Sequence, residues 1–221
     1  MLFKTLNEDG IVCHHNEQFE WPLPIKNKDG TWIPGDWVPP ITGPLVACIN
    51  GYHLCTLEQL LDWLNPAIFV AEYRGDRLDV ANKVVVREAR LLRQVETWNK
   101  QTTRLLLCDW AEHVLHFFED ECPGDSRPRR AIEIGRRFAN GKATQEELIP
   151  AKNAARVAAR TFGEDAIGFA AWDAGSAACV SPIHAAIWTI ASRAAAIDAE
   201  NRAWTIERQW RAARLQHYLE L

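Results

Sequence analysis

The spacing of hydrophobic and polar residues changes near residue 100, from short alternating or apolar runs to a three-to-four-residue repeat. Before that point, residues 68–73 and 83–92 are rich in β-branched and aromatic side chains and predict two strands, with Gly75-Asp76 between them. Residues 3–6 and 11–13 predict two further strands, and Glu8-Asp9-Gly10 between them favours a hairpin turn. The first half therefore predicts a small sheet.

One helix interrupts this sheet pattern. Thr56 and Gln59 have the spacing of a capping box, in which each side chain satisfies a backbone N–H of the other residue. Leucines 57, 60, 61 and 64 then share one helical face, and Asn65-Pro66 ends the helix. Strands together with this helix predict an α+β domain over residues 1–101.

The second half has the pattern of packed helices. One helical face carries the apolar residues Leu106, Trp110, Val114, Phe117 and Phe118. A second capping box, Thr144 with Glu147, opens a later helix, and residues 151–221 are rich in alanine, which favours helices that approach closely. We therefore expect an α+β protein in which a small mixed or antiparallel sheet domain packs on an all-α helical bundle, residues 102–221.

Composition narrows the functional classes. The net charge of −4 and a pI near 6.0 argue against a nucleic-acid-binding surface. We find no apolar run long enough to span a membrane and no secretory signal at the N-terminus, so the six cysteines are expected as free thiols in the cytoplasm. Ten tryptophans supply rigid aromatic side chains of the kind that protein recognition uses.

Four segments carry a resemblance to known domains. Residues 43–55 (GPLVACINGYHLC) and 83–91 (KVVVREARL) resemble an N-terminal domain of unknown function found in bacteria and phages. Residues 108–115 (CDWAEHVL) and 125–133 (DSRPRRAIE) resemble a helical domain that bacterial genomes carry as an immunity protein of toxin systems. The second resemblance implies a protein-binding module, an immunity or anti-defence inhibitor of a bacterial or phage effector.

The strongest cluster of chemically versatile residues is Cys48, His53 and Cys55, because thiolate and imidazole are the preferred ligands of zinc. Cys13, His14 or His15 would supply a fourth ligand if the first hairpin lay alongside. Against zinc, the spacing from Cys48 to His53 is looser than in most zinc turns. The simpler interpretation is a strand end with buried thiols and one hydrogen-bonded histidine. A thiol nucleophile with His53 as its base is the third interpretation.

An enzymatic alternative treats the first half as an ADP-ribosyltransferase-like domain that uses a nucleotide such as NAD. The roles of such a site would fall on His14 or His53, on Tyr73 or Tyr52, and on Glu88 or Glu96. Only the order of the elements supports this alternative, which is analogy at the level of the fold.

Arginine and tryptophan mark candidate surfaces in the second half. Arg127, Arg129 and Arg130 could hold an acidic partner, although the acidic residues 119–121 just before them favour local ion pairs. Trp204, Trp210 and Arg211 are the residues that we predict to contact a partner protein, since arginine stacks well on indole. The competing interpretation is that these tryptophans pack the last helix onto the bundle.

Overall fold

The computed structural model describes residues 1–7, 10–14, 17–163, 166–183, 185–186 and 202–220, with the backbone alone for 11–14, 17–18, 166 and 202–205. It divides the chain into two compact units, Met1–Glu96 and Thr97–Leu221. Strands lie in the first unit and long helices in the second, so the fold is α+β as predicted. No helix among these residues is long and apolar enough to cross a membrane.

The first unit is built on a four-stranded antiparallel sheet in the order β1-β7-β8-β6, beside two small two-stranded sheets, β2-β3 and β4-β5. The strands are β1 Leu2–Leu6, β2 Ile11–His14, β3 Glu17–Glu20, β4 Ile25–Lys26, β5 Trp32–Ile33, β6 Tyr52–Leu54, β7 Ala67–Val80 and β8 Lys83–Gln94. Residues of both central strands, among them Ala71, Val86 and Leu91, form the core with Trp21.

The predicted hairpin between residues 3–6 and 11–13 is wrong. Strand β1 pairs instead with β7, Leu2 opposite Ala71 and Leu6 opposite Ala67, while β2 pairs with β3. All five residues of β1 are buried, and so are the residues of β7 that face them. A strand that is buried along its whole length suits a larger sheet better than an isolated two-stranded ribbon, so β1 pairs with the distant β7.

The predicted break at Gly75-Asp76 is also wrong, because β7 runs through it. The register with β8 shifts between Arg74 and Arg77, and Gly75 adopts φ +73° there, as expected at a bulge. The strands are joined by the short turn after Val80, which pairs with Lys83. Glycine therefore marks a bend within a strand here and not its end.

The predicted capping box at residue 56 is confirmed, but the helix it opens is short. The Thr56 backbone N–H donates to Gln59 Oε1 (3.0 Å), and the Gln59 N–H donates to Thr56 Oγ1 (3.4 Å). The helix α1 itself is Leu60–Trp63, one turn whose Leu60 and Leu61 are buried. The predicted span of residues 57–64 was too long because the chain starts with a turn over residues 57–59.

The second unit consists of helices whose described members are α2 Lys100–Val114, α3 His116–Glu121, α4 Arg127–Ala139, α5 Gln145–Arg160, α6 Ala166–Ala177 and α7 Arg202–Leu219. The predicted apolar face is confirmed at Leu106, Trp110, Val114 and Phe118, all buried. Phe117 is the exception, with 45% of its surface exposed, because the helix is interrupted at Leu115 and α3 turns Phe118 inward.

Two local features define the start of α5 and the spacing between α4 and α6. The capping box at Thr144 is confirmed, with the Thr144 N–H donating to Glu147 Oε2 at 2.8 Å. Gly135 of α4 lies so close to α6 that an added Cβ would come within 2.7 Å of the Ala177 carbonyl oxygen. Glycine at this position therefore sets the distance between the two helices.

Candidate functional site

The predicted metal residues Cys48 and His53 contact each other through the backbone. Cys48 sits in a tight loop with φ +64°, and its N–H donates to His53 Nε2 at 3.1 Å. This bond occupies one of the two ring nitrogens through which His53 could bind a metal. Lys83 Nζ donates to the sulfur of the exposed Cys48 at 3.0 Å, so this thiol has a lysine as a direct neighbour.

Cys55, the third of these residues, is buried at the end of the same strand. Its thiol donates to the Phe3 carbonyl oxygen at 3.4 Å, and burial raises its pKa to about 12 against the opposing effect of the Lys4 ammonium. In the described part of the chain, no three His, Cys, Asp or Glu side chains are grouped to hold a metal ion. The side chains of Cys13 and His14, and the whole of His15, lie outside the described residues, so zinc stays a prediction.

The residues considered for a nucleotide site have other contacts. Tyr52 donates its hydroxyl to the Pro39 carbonyl oxygen at 2.9 Å, and Glu96 pairs with Lys26 at 2.5 Å. Glu88 lies on β8 opposite Arg74, and Tyr73 is partly exposed on β7. The side chain of His14 lies outside the described residues. The nucleotide-using enzyme stays a prediction.

Arg211, predicted to contact a partner, is buried inside the helical unit with 1% of its side chain exposed. Its guanidinium pairs with Asp173 of α6 (3.1 Å) and with Glu207 (2.6 Å), and it lies over the Trp110 ring of α2 at 5.3 Å. These contacts fix α7 to its neighbours. A role for Arg211 in partner binding stays a prediction, and the structure gives it a structural one.

Trp210 and Trp204 lie on the same helix as Arg211. The half-buried Trp210 ring stacks on His113 of α2, with ring centroids 3.7 Å apart and planes 6° from parallel. This packing agrees with the competing interpretation, that tryptophan holds the last helix in place. The side chain of Trp204 lies outside the described residues.

A carboxylate that the sequence did not single out organises the same packing. Asp109 of α2 accepts from Arg136 of α4 (2.7 Å) and from Arg214 and the Tyr218 hydroxyl of α7 (2.7 Å each). Burial and the bond to Asp109 raise the pKa of Tyr218 to about 12. Asp109 thus links three helices that are distant in sequence.

Two of the three arginines at the start of α4 form ion pairs with nearby carboxylates, as predicted. Arg127 pairs with Asp125 and Arg129 with Glu119, both at 2.5 Å, which lowers the pKa of each carboxyl. Arg130 is exposed and forms no ion pair within the described residues. Among the three arginines of the cluster, Arg130 is therefore the one whose guanidinium has no ion pair in the described part of the chain.

Arg130 borders a groove between α4 and α5 with a volume of about 510 Å³. We call this the α4–α5 groove; its lining residues are Ser126, Arg127, Arg130, Glu133, Ile134, Arg137, Glu147, Pro150, Ala151 and Ala154. From α4 it takes residues 127, 130, 134 and 137, which share one helical face. From α5 it takes Pro150, Ala151, Ala154 and Glu147, so the lining combines small or apolar residues and three arginines with the carboxylates of Glu133 and Glu147.

Comparison with known proteins identifies the helical unit. The family model described as "Imm-5 like putative immunity protein" matches residues 93–218, which run from before α2 to the last turn of α7. No curated protein and no solved structure matches the chain. The resemblance of the first unit to a domain of unknown function stays a prediction.

Proposed function

The chain belongs to the Imm-5 like immunity protein family, and from this premise we propose that it neutralises a bacterial or phage protein effector by binding it through its helical unit. The observation that carries the proposal is the match itself, which covers α2 to α7 and leaves out most of the first unit. An immunity protein acts as an inhibitor, so the helical unit needs a surface that recognises another protein.

The α4–α5 groove is the surface that we propose for this recognition. Protein interfaces are enriched in arginine around apolar centres, and Arg130 beside Ile134 and Ala154 has that composition. A guanidinium that has no ion-pair partner among the described residues can pair with a carboxylate of the effector without first losing one of those contacts. We therefore expect the effector to insert an acidic segment that also carries apolar side chains.

The groove is also held in a fixed shape before binding. The close approach at Gly135 sets the distance of α4 from α6, the capping box at Thr144 fixes the start of α5, and Asp109 ties α4 to α7 through Arg136 and Arg214. A preorganised surface loses little conformational entropy on binding, which favours the tight complexes that inhibition requires.

We place the complex in the cytoplasm. The described cysteines Cys48, Cys55, Cys108, Cys122 and Cys179 are free thiols, which a reducing compartment preserves. The effector would then be neutralised in the compartment where it acts or is made.

A substitution that fills the groove tests the proposal. Effectors are captured with the full chain, and each captured protein is expressed in a bacterial host alone or with the wild type, Ala154→Trp or Ala213→Trp. Ala213 is an exposed alanine on α7, outside the groove, and serves as the matched control. We expect the wild type and Ala213→Trp to restore growth, and Ala154→Trp to bind at least tenfold more weakly and to give no protection.

Charge provides a second arm of the same experiment. Arg130→Glu should weaken binding at least tenfold, whereas Lys28→Glu, the same charge change at an exposed site in the first unit, should not. Full protection by both Ala154→Trp and Arg130→Glu would show that the groove is not the binding surface. Failure of every captured protein to inhibit growth would contradict the inhibitor role itself.

A further inference from the structure

Two lysines in the first unit are more than nine-tenths buried and line one small cavity. Lys4 of β1 is 8% exposed and Lys83 of β8 is 6% exposed. The cavity has a volume of about 50 Å³, and its lining residues are Phe3, Lys4, Thr5, His53, Leu54, Cys55, Trp63, Asn65 and Lys83. Buried lysines are rare because an ammonium loses its hydration, so each normally has a carboxylate partner.

Neither of these lysines has a carboxylate partner within the described residues. Lys4 Nζ donates to the His53 carbonyl oxygen at 3.2 Å and lies 5.2 Å from the centre of the Trp21 ring. Lys83 Nζ donates to Cys48 Sγ at 3.0 Å and lies 4.5 Å from the centre of the Trp63 ring. Carbonyl, thiol and indole groups stabilise a cation, but they do not neutralise it.

We propose that this cavity binds a small monovalent inorganic anion, with chloride as the reference ligand, between the ammonium groups of Lys4 and Lys83. Thr5 Oγ1 accepts from Asn65 Nδ2 at 3.2 Å, so the Thr5 hydroxyl proton is available as a third donor. The anion would supply the counter-charge that the protein's own side chains do not.

The size of the cavity limits what it can hold. A single water molecule needs roughly 10–15 Å³ of such a volume. A cavity of about 50 Å³ therefore accommodates a chloride ion with a water molecule, or a small inorganic oxyanion, and excludes a nucleotide or a sugar phosphate.

The titration behaviour of the lining groups agrees with this assignment. Burial lowers the pKa of Lys4 to about 8, so Lys4 is still protonated at pH 7 although its environment disfavours the charge. Burial also raises the pKa of the neighbouring Cys55 thiol to about 12, with a further contribution from Asp62, and this thiol stays neutral. Cys55 therefore does not provide the missing negative charge at pH 7.

Chloride-35 NMR on the full chain tests the proposal directly. We expect the wild type at pH 7 to broaden the chloride signal beyond its linewidth in buffer alone. This excess linewidth should fall to a plateau as chloride replaces gluconate at constant ionic strength, because the site becomes saturated. Lys83→Met and Lys4→Met should each lose at least four-fifths of the excess linewidth. Lys28→Met, the same change at an exposed lysine of the first unit, should keep it.

Thermal unfolding gives an independent readout. The wild type and Lys28→Met should melt at a higher temperature in sodium chloride than in sodium gluconate of equal ionic strength, and the two cavity variants should not. A wild type without saturable excess linewidth would overturn the proposal even if a variant failed to fold. Equal linewidth in Lys83→Met and wild type would overturn it as well. The test does not depend on the effector-binding function.

Discussion

Replacing Lys4 by methionine should stabilise the protein at neutral pH. Methionine is apolar and unbranched and has nearly the length of the lysine stem, so it removes the buried ammonium and keeps most of the packing of β1. At pH 7 the wild type must hold a charge that its surroundings disfavour, since burial lowers the pKa of Lys4 from 10.5 to about 8. The variant has no such charge.

The magnitude follows from the pKa change. The difference between 10.5 and about 8 corresponds to about 3 kcal/mol of destabilisation of the protonated folded state. Losing the hydrogen bond from Lys4 Nζ to the His53 carbonyl costs about 1 kcal/mol. Lys4→Met should therefore be about 2 kcal/mol more stable than the wild type at pH 7.

The advantage of the variant should disappear at high pH. Between pH 8 and 10.5 the unfolded wild type binds a proton at Lys4 that the folded state has released, so wild-type stability rises with pH. Above pH 10.5 lysine is neutral in both states, and only the lost hydrogen bond remains. The buried Cys55 thiol of the same unit, with a pKa of about 12, lowers stability above pH 9 in both proteins. Removing the Lys4 ammonium raises this pKa further, so the folded-state thiol stays protonated up to pH 10.5 in both proteins and its effect cancels in their difference.

Urea unfolding in sodium gluconate at pH 7, 9 and 10.5 measures this difference, with Lys28→Met as the control for removing a lysine. The first unit is followed by its own backbone amides in NMR spectra, because two units can unfold separately. A difference between Lys4→Met and wild type that stays constant from pH 7 to 10.5 would refute the reasoning.

Three further substitutions test the helical unit by urea unfolding. Asp173→Asn should lower the free energy of unfolding by about 3 kcal/mol, because it leaves the buried Arg211 with Glu207 alone. An effect equal to that of Asp120→Asn, the same change at an exposed site, would contradict this. Gly135→Ala should lower the free energy of unfolding by at least about 2 kcal/mol, because the added Cβ would lie 2.7 Å from the Ala177 carbonyl oxygen. Unchanged stability would mean that α4 and α6 can move apart at no cost. Thr144→Ala should lower the free energy of unfolding by about 1 kcal/mol through loss of the cap, and Thr144→Ser, which keeps the hydroxyl, should lower it by less than half as much. Equal losses of stability in the two variants would exclude the capping role.

Features set by neighbouring residues could be predicted from the sequence. The capping boxes at Thr56 and Thr144 involve residues three apart, and the buried face of α2 follows from helical spacing. The partner of β1 could not be found in this way. Gly10 gives a local turn signal, but the pairing was decided by burial against β7, about 65 residues away.

The candidate sites illustrate the same limit. Arg211 looked like a surface residue because its partner Asp173 lies 38 residues away in the chain. Lys4 occupies a polar position between Phe3 and Thr5 that predicts solvent exposure, and only the fold brings it to a cavity beside Lys83. The α4–α5 groove also depends on helix packing, although the spacing of residues 127, 130, 134 and 137 would have revealed one of its walls.

The position of Asp109 has a consequence for how the chain is made on the ribosome. Its first partner, Arg136, follows 27 residues later, whereas Arg214 follows 105 residues later. At about 5–20 residues per second, the wait between the two is on the order of 4–16 s. During that time α2 lacks the helix that completes its packing, so the nascent helical unit exposes apolar surface of the kind that chaperones bind. The neutralising activity that we propose would therefore begin only after α7 has been synthesised, and newly made chains would protect the cell with a delay.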